Sequence, residues 1–552
     1  MTANNAHTSE KKYFWLLFAV IVAAVYLSGL NIPLLGPDEP RYSQVAREMF
    51  ERGDWVTPTL GGHNWFEKPA LLYWLQIAFY HIFGVTEFAA RLGSALFGLG
   101  TILSVWLIGK AVERRFPAEY SNCNFANWLA LIAASTIGII AFSRAASFDI
   151  ILTFPVTAAL VCFFIWELSH EPKSNNAKEK MGRDGETLPP SPLLPFSLSL
   201  PGFYFFIGVA LIAKGLVGIV FPFAIVAFYY LLSLKKPSRA LIFSAFWGTA
   251  LAVLVASAWY LPMYQKHGWS FIDEFFIQHH FQRYTSNKYQ HPQPFYFFFW
   301  VLPLMTLPWL PFFLGSLWNF LPRKAADAQH ETVKGDSSQI SASPRNSISP
   351  STTGSPLPRA SASPLRELRR FALAWLLVPL VFFTFSGSKL PGYVLPALPA
   401  AMVLAGEYAW RFTRKNKLVR ILVQITAVGT LTIVLVLALF FVRSFAEHES
   451  VKPLIEKADS EGHAGERVLN LFGMSHNSEF YAPGRLVRGA DGKQKMYFSV
   501  KDIVDELDNR NETTGLVLVP LQHLYILQRS EFVTINVIAD NTEFAIVAIK
   551  KK

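Results

Sequence analysis

The stretch KPALLYWLQIAFYHIFG, residues 68–84, decides how this chain is laid out. It is apolar but short for a bilayer-crossing helix, and it leaves almost no turn before the next apolar run, which begins near residue 87. Counted as a span, it moves every later loop to the opposite side. Taken as a helix lying in the interface, it leaves GKAVERR, LKKPSR, LPRK to LRELRR and RFTRKNKLVR on one side, together with the N-terminal EKK. Lys and Arg concentrate in cytoplasmic loops, so the interfacial reading is preferred.

The surrounding sequence is that of a polytopic membrane protein. Of 552 residues, 52% are hydrophobic and 16% charged, with 48 Phe and 15 Trp, and the apolar content falls in repeated runs of about 18 to 25 residues. Candidate spans are 13–30, 87–110, 126–142, 149–167, 200–213, 216–233, 240–262, 294–320, 369–386, 391–410 and 419–443, about eleven in all. The run 13–30 is long and has no convincing small-residue cleavage site, so it reads as a retained helix rather than a signal peptide. The +11 net charge sits mostly in short links between apolar runs, which makes it a topology signal and not a nucleic-acid footprint. Cys123 and Cys162, the two cysteines, have no metal-type spacing.

With this topology residues 31–86, the link at Arg144–Phe148, residues 263–293, SGSKLPGY at 386–393 and the C-terminal tail face outward. Residues 170–198 and 325–365 are polar, Pro-rich or Ser/Pro-rich inner linkers that cannot bury a core. A membrane domain over 1–443 is thus followed by a tail, 444–552, in which GLVLVP, FVTINVIA and EFAIVAI read as strands and SVKDIVDELDN as a helix. The expected tail is a small extramembrane α/β domain.

The polar residues of interest gather in the outward segments. PDEPRYSQVAREMFERG places Tyr42, Val45, Ala46 and Met49 on one face of an amphipathic helix. Asp38 and Glu39 then have two readings: N-terminal caps, where negative charge is favoured, or reactive carboxylates. Asp149 opens an apolar run at the outer interface, where a carboxylate is costly unless paired, solvated or used; it too reads as a cap or as a second acid near Asp38. Lys68, Arg41 and Arg144 are nearby cations suited to an anionic headgroup. Lys214, between two short Gly-containing runs, reads as a helix cap or as part of a broken-helix site. FIDEFFIQHHFQRYTSNKYQHPQPF adds His279, His280, Arg283, Tyr284 and His291; histidine with a carboxylate such as Glu67 suits a divalent ion, although adjacent histidines have no diagnostic spacing. Lys389 stands at an outer mouth, as a phosphate partner or a snorkelling side chain.

PDEPRYSQVAREMFERGDWVTPTLGGHNWFEKPALLYW, the Asp149 position, HHFQRY and SKLPGYVLPALPA together resemble the polyprenyl-phosphate-sugar-dependent glycosyltransferases that include the 4-amino-4-deoxy-L-arabinose lipid A transferases and, more distantly, the protein O-mannosyltransferases. The resemblance covers most of residues 13–410 and implies a GT-C fold of about 11 to 13 transmembrane helices. It implies an active site at the outer face of a bacterial inner membrane, an undecaprenyl or other polyprenyl phosphate sugar donor, a lipid A-like or other envelope acceptor, and inversion at the anomeric carbon. Carried over, Asp38, with Glu39 beside it, and Asp149 are the catalytic acids. Lys68, Arg41, Arg283, Tyr42 and Lys389 fall near the lipid phosphate, and Glu67 and His280 match positions that bind a divalent ion, Zn, Mg or Mn. Pro40, where a small residue or Thr is frequent, and the Ser/Pro loop depart from the pattern.

On this reading the cations hold the leaving phosphate while Asp38 takes the acceptor's proton; an acceptor that is itself a phosphate needs no base. A protein O-mannosyltransferase-like acceptor is an alternative within the class. A transporter or flippase for lipid-linked sugars is disfavoured because its ionisable groups belong near the bilayer midplane, and a non-catalytic sensor because eleven spans far exceed an anchor.

Overall fold

The computed structural model describes residues 3–116, 124–170, 196–282, 293–320, 364–489 and 492–552. Most of both linkers (171–195 and 325–363), Cys123, and Arg283, Tyr284 and His291 lie outside them, as does the side chain of His280.

Each expected apolar run coincides with helix. Glu87–Arg115, Phe148–His170, Arg239–His279 and Lys417–Glu449 are long and apolar enough to cross a membrane, and Phe125–Ala134 with Ile137–Ser143, bent by 61°, make a fifth candidate. Tyr13–Leu27, Leu198–Lys214 and Val217–Ser233 are shorter apolar helices, and so is the deciding stretch, Leu71–Phe83. Two further runs are broken: 294–320 is two short helices, Phe297–Met305 and Leu310–Trp318. The run 391–410 starts as a 3₁₀ turn, Pro391–Ala397, before Leu398–Lys415. Pro303, Pro308, Pro391, Pro396 and Pro399 account for the breaks, since proline removes a backbone donor and clashes with the preceding turn.

The outer-loop helix runs Asp38–Arg52 and ends on Gly53 in the left-handed conformation at φ 64°. Its face Tyr42, Val45, Ala46 and Met49 is buried, as its spacing predicts. One ion pair locks it onto the bundle. Arg91, 1% exposed, donates from Nε and Nη2 to the Glu39 carboxylate at 2.9 and 2.7 Å. Its remaining N–H groups go to the carbonyls of Leu30, Ile32 and Pro33 at 2.9, 2.5 and 3.0 Å. Glu39 in turn accepts from the Leu35 and Ala146 amides at 2.8 and 2.7 Å. All five guanidinium donors and both carboxylate oxygens are therefore engaged.

The tail is an α/β domain. Its five strands lie in the order Met496–Tyr497, Val468–Leu471, Thr514–Pro520, Phe544–Lys551, Val533–Asp540, with the first three parallel and the last two pairings antiparallel. Alternate residues of one strand face opposite sides: Val517 and Val519 meet helix Val500–Asn509, whereas Leu516 and Leu518 meet helix Lys452–Ala458. Both faces are covered, which is why the strands read as unbroken apolar runs. The domain docks through Lys452 Nζ on Glu87 at 2.6 Å, the Tyr481 hydroxyl on Glu87 at 3.1 Å, and the Leu34 amide on that hydroxyl at 2.8 Å.

Burial raises the Glu39 carboxyl pKa, but Arg91 and the two amides more than reverse this and hold it below its ordinary 4.5. Its stabilisation is complete above pH 4.5 and is lost as pH falls through the lower folded value. Arg91→Met strands that carboxylate in the interior, and the solubilised protein is expected to lose roughly 3–5 kcal/mol, read as a lower thermal midpoint. Glu39→Gln in the same background removes the stranded charge, keeps an acceptor for the amides and recovers part of the loss. A single variant no less stable than an exposed-surface substitution would show that the clamp carries little.

Candidate functional site

The site grows from the first turn of helix Asp38–Arg52. Adjacent residues on a helix point about 100° apart, so with Glu39 turned into the bundle Asp38 turns out, and its side chain is about half exposed (54%). Arg41, one turn on, bonds Asp38 Oδ1 at 3.1 Å, lies 4.0 Å from Glu67 and sits 5.6 Å above the Trp65 ring. Lys68 pairs with Glu67 at 2.9 Å, both side chains largely buried. Tyr42 stands below this group, edge-on to Phe148 at 4.8 Å. Burial and the charges of Glu67 and Asp38 push its hydroxyl well above the usual phenol range, so it stays a neutral hydrogen-bonding group.

Phe148 leads into the second acid. Asp149, in the first turn of helix Phe148–His170, forms an ion pair with Lys214 at the end of helix Phe196–Lys214. The Lys214 ammonium is 5.0 Å from the Tyr393 ring centre. The neighbouring Gly392 is closed in by the acid: a Cβ built there would overlap Asp149 Oδ2. The glycine of SKLPGY thus allows the backbone to pass against the carboxylate. Lys389, from the same motif, is 8% exposed and donates to the carbonyls of Ser386 and Gln293 at 2.8 and 3.2 Å.

Residues 266–271 pack against the far part of the first outer loop. His267 contacts the Thr57 hydroxyl at 2.9 Å, Lys266 pairs with Asp54 at 3.2 Å, and Phe271 stands edge-on to Phe66 at 5.8 Å, beside Glu67.

Sequence and structure agree that Asp38, Arg41, Tyr42, Glu67 and Lys68 form one neighbourhood, with Phe148 linking Tyr42 to the turn of Asp149. Glu39 departs from the catalytic reading. All its acceptor positions are occupied by Arg91 and backbone amides, so it anchors the loop and offers no lone pair to a substrate. Arg144, counted among the nearby cations, donates to the carbonyls of Val25 and Gly29. Arg91, Lys214's partnership with Asp149, and Gly392 escaped the sequence reading. The available signal was a lone cation in or beside an apolar run, which must find a partner.

Among the described residues no three His, Cys, Asp or Glu side chains gather closely enough to hold a metal ion. Glu67, the described member of the expected ion pair of ligands, has Lys68 and Arg41 beside it. These cations balance its charge, so the described residues do not by themselves make an ion site.

Comparison with known proteins gives a consistent picture. Residues 14–182 match the family described as dolichyl-phosphate-mannose-protein mannosyltransferase. Undecaprenyl phosphate-alpha-4-amino-4-deoxy-L-arabinose arabinosyl transferase of Serratia proteamaculans is 28% identical over 395 residues, 71% of this chain and 59% of that protein. The Yersinia enterocolitica protein of the same name is also 28% identical, over 71% of this chain and 58% of its own length. The chain thus spans less than two thirds of the relatives it matches. Among solved structures, ArnT from Cupriavidus metallidurans bound to undecaprenyl phosphate superposes with a TM-score of 0.69 at 20% identity, covering 97% of both chains. Its apo form gives 0.67 at 19% identity, covering 98% of both. The chain shares the fold of these ArnT structures and resembles aminoarabinose and O-mannosyl transferases.

The fit of Gly392 against Asp149 is open to test. Gly392→Ala is expected to lower stability by about 1–3 kcal/mol through overpacking, measured as a melting shift in detergent. Asp149→Ala in that background removes the clash and recovers the loss, a coupling that independent sites do not show. Additive losses would mean that the two residues do not touch.

Proposed function

We propose that this chain is a membrane glycosyltransferase that moves a sugar from a polyprenyl phosphate donor to an envelope acceptor, lipid A or a similar glycolipid, on the periplasmic side of a bacterial inner membrane. The observation that carries the reading is the pairing of Asp38 with Arg41 in the first turn of the outer-loop helix, beside the Glu67–Lys68 pair of the same loop, on a fold shared with ArnT bound to undecaprenyl phosphate.

The chemistry follows from the charges. The acceptor oxygen attacks the anomeric carbon from the face opposite the phosphate, the bond from that carbon to the phosphate oxygen breaks, and the configuration inverts. Negative charge grows on the departing polyprenyl phosphate, and Lys68 and Arg41 offset it without reorganising. Lys214 and Lys389 are further cations on the same side. A neutral hydroxyl is a poor nucleophile, so Asp38, exposed and held by Arg41, accepts its proton as the new bond forms. Asp149, fixed by Lys214, keeps the second wall of the site charged and rigid.

A positioned general base contributes roughly 10²–10⁴ in rate. Asp38→Asn is expected to lower turnover by that factor while leaving undecaprenyl phosphate binding unchanged, and Lys68→Ala to weaken that binding. Mass spectrometry of envelope glycolipids from gene-deleted cells complemented with each variant provides the first readout. Full restoration of the sugar adduct by Asp38→Asn that is present in the membrane would reduce Asp38 to a helix cap.

A further inference from the structure

The C-terminal domain and the outer loop enclose between them a polar cleft that the glycosyl-transfer reading does not use. Its volume is about 620 Å³, within the range of pockets that take small ligands. One wall is helix Asp38–Arg52, which contributes Gln44, Arg47, Glu48 and Glu51, with the turn Gly61–Gly62 beside it. The other wall belongs to the tail: Arg467 at the entry to strand Val468–Leu471, Arg488, and Arg510 just past helix Val500–Asn509. The walls meet where Arg488 lies against Gly61, so closely that a side chain on that glycine would overlap the guanidinium. Arg47 adds a second contact, donating to the Phe480 carbonyl at 3.4 Å.

Four guanidinium groups line this cleft, and the carboxylates that face them leave donors over. Arg488 is the most fully used, by Glu479 and by the Gly492 carbonyl at 3.0 Å. The other three are held along one edge. Arg510 donates Nε to Glu506 at 2.7 Å, Arg467 Nε to Glu512 at 3.3 Å, and Arg47 Nε to Glu51 at 2.7 Å. Among the described residues, Nη2 of Arg47 and of Arg467 and both terminal nitrogens of Arg510 make no hydrogen bond. Glu479, Glu506 and Glu512 do not line the cleft, and of the two carboxylates that do, Glu48 is spent on the hairpin. It accepts from the Thr59 hydroxyl and the Gly61 and Gly62 amides at 2.6, 2.6 and 3.2 Å. Guanidinium edges arriving from a helix, a strand entry and a helix end suit a tetrahedral phosphate, which offers oxygens in several directions. Gln44 supplies the opposite kind of group. It is 3% exposed, its Nε2 donates to Glu48 at 3.2 Å, and its Oε1 has no hydrogen-bond partner among the described residues. A buried acceptor left so costs about 1–3 kcal/mol, and a ligand hydroxyl would satisfy it.

We propose that this cleft is a subsite for the acceptor's phosphorylated sugar headgroup: Arg47, Arg467 and Arg510 hold the phosphate, and Gln44 accepts a hydrogen bond from a sugar hydroxyl. Its position suits that role. Arg41, Gln44, Glu48 and Glu51 follow one another at intervals of three and four, a single stripe of one helix, so the cleft continues the stripe that begins at Asp38's partner. Arg47 is nine residues past Asp38, roughly 13 Å at helical rise. A ligand that reaches from one to the other needs a headgroup of more than one sugar ring. The donor phosphate stays with Lys68 and Arg41. This inference rests on the glycosyl-transfer reading above.

The test uses the full chain in detergent. A phosphorylated glucosamine disaccharide, the same disaccharide without phosphate, and inorganic phosphate are each titrated by calorimetry. The phosphorylated sugar is expected to bind at least tenfold more tightly than either of the others. Arg510→Gln and Arg467→Gln each weaken it about tenfold, the loss of one charge-assisted hydrogen bond, and Arg510→Lys recovers part of that loss. Arg529→Gln, at an exposed arginine of the tail that does not line the cleft, changes nothing. In transfer from undecaprenyl-phosphate-linked 4-amino-4-deoxy-L-arabinose to envelope membranes of gene-deleted cells, the same two Gln variants raise the half-saturating amount of acceptor membrane and leave donor KM unchanged. A purely structural role would move the melting midpoint and both constants together. Equal affinity for inorganic phosphate or for the unphosphorylated sugar, or titrations unchanged in both Gln variants, overturns the proposal. Normal transfer alongside unchanged titrations sinks the cleft alone, whereas a wild type that transfers nothing sinks the glycosyl-transfer reading and the cleft's part in it.

Discussion

A buried carboxylate and a buried guanidinium hold the rest of this structure in place. Taken singly, each charge costs several kcal/mol to remove from water. The Glu39–Arg91 pair persists because neither partner has an unsatisfied polar atom: five donors and two oxygens are all bonded. Those bonds draw in the segment before the outer-loop helix, the helix itself, helix Glu87–Arg115 and the turn at Ala146. The position of Asp38 follows from geometry, because its neighbour has been turned inward.

The site above this anchor is charged but nearly balanced. Asp38, Glu67 and Asp149 each face a cation, Arg41, Lys68 and Lys214. Such pairing lets ionised groups sit at the edge of an apolar bundle. On the proposed function, a donor phosphate would compete with carboxylates already in place, so its binding would loosen existing ion pairs instead of filling an uncompensated positive pocket. Tyr42, kept neutral by burial and by the same carboxylates, adds a dipole without adding charge.

Much of this was legible in residue order, and the remainder has physical reasons for being hidden. Apolar run length marked the helices because hydrocarbon thickness imposes it, and two-sided burial made the strands of the tail stand out as GLVLVP and EFAIVAI. The buried face Tyr42, Val45, Ala46 and Met49 followed from helical spacing. Residue order could not say which of Asp38 and Glu39 points inward, because that depends on a partner 52 positions away. Arg91 was absorbed in the run that begins at 87, and Lys214 looked like a helix end until Asp149 was beside it.

Glu87 and Arg91 are four residues apart, hence neighbours on one helical face. The first grips Lys452 and Tyr481 of the tail, the second Glu39 of the outer loop. A single turn of helix therefore acts as the shared datum from which two separate parts are aligned, with no intervening flexible joint to blur their register. Any domain that took the tail's place would have to bring a cation and a phenol to meet Glu87, and a partner for Arg47 as well. That turn behaves as a coupling flange between the outer loop and the domain bolted to it.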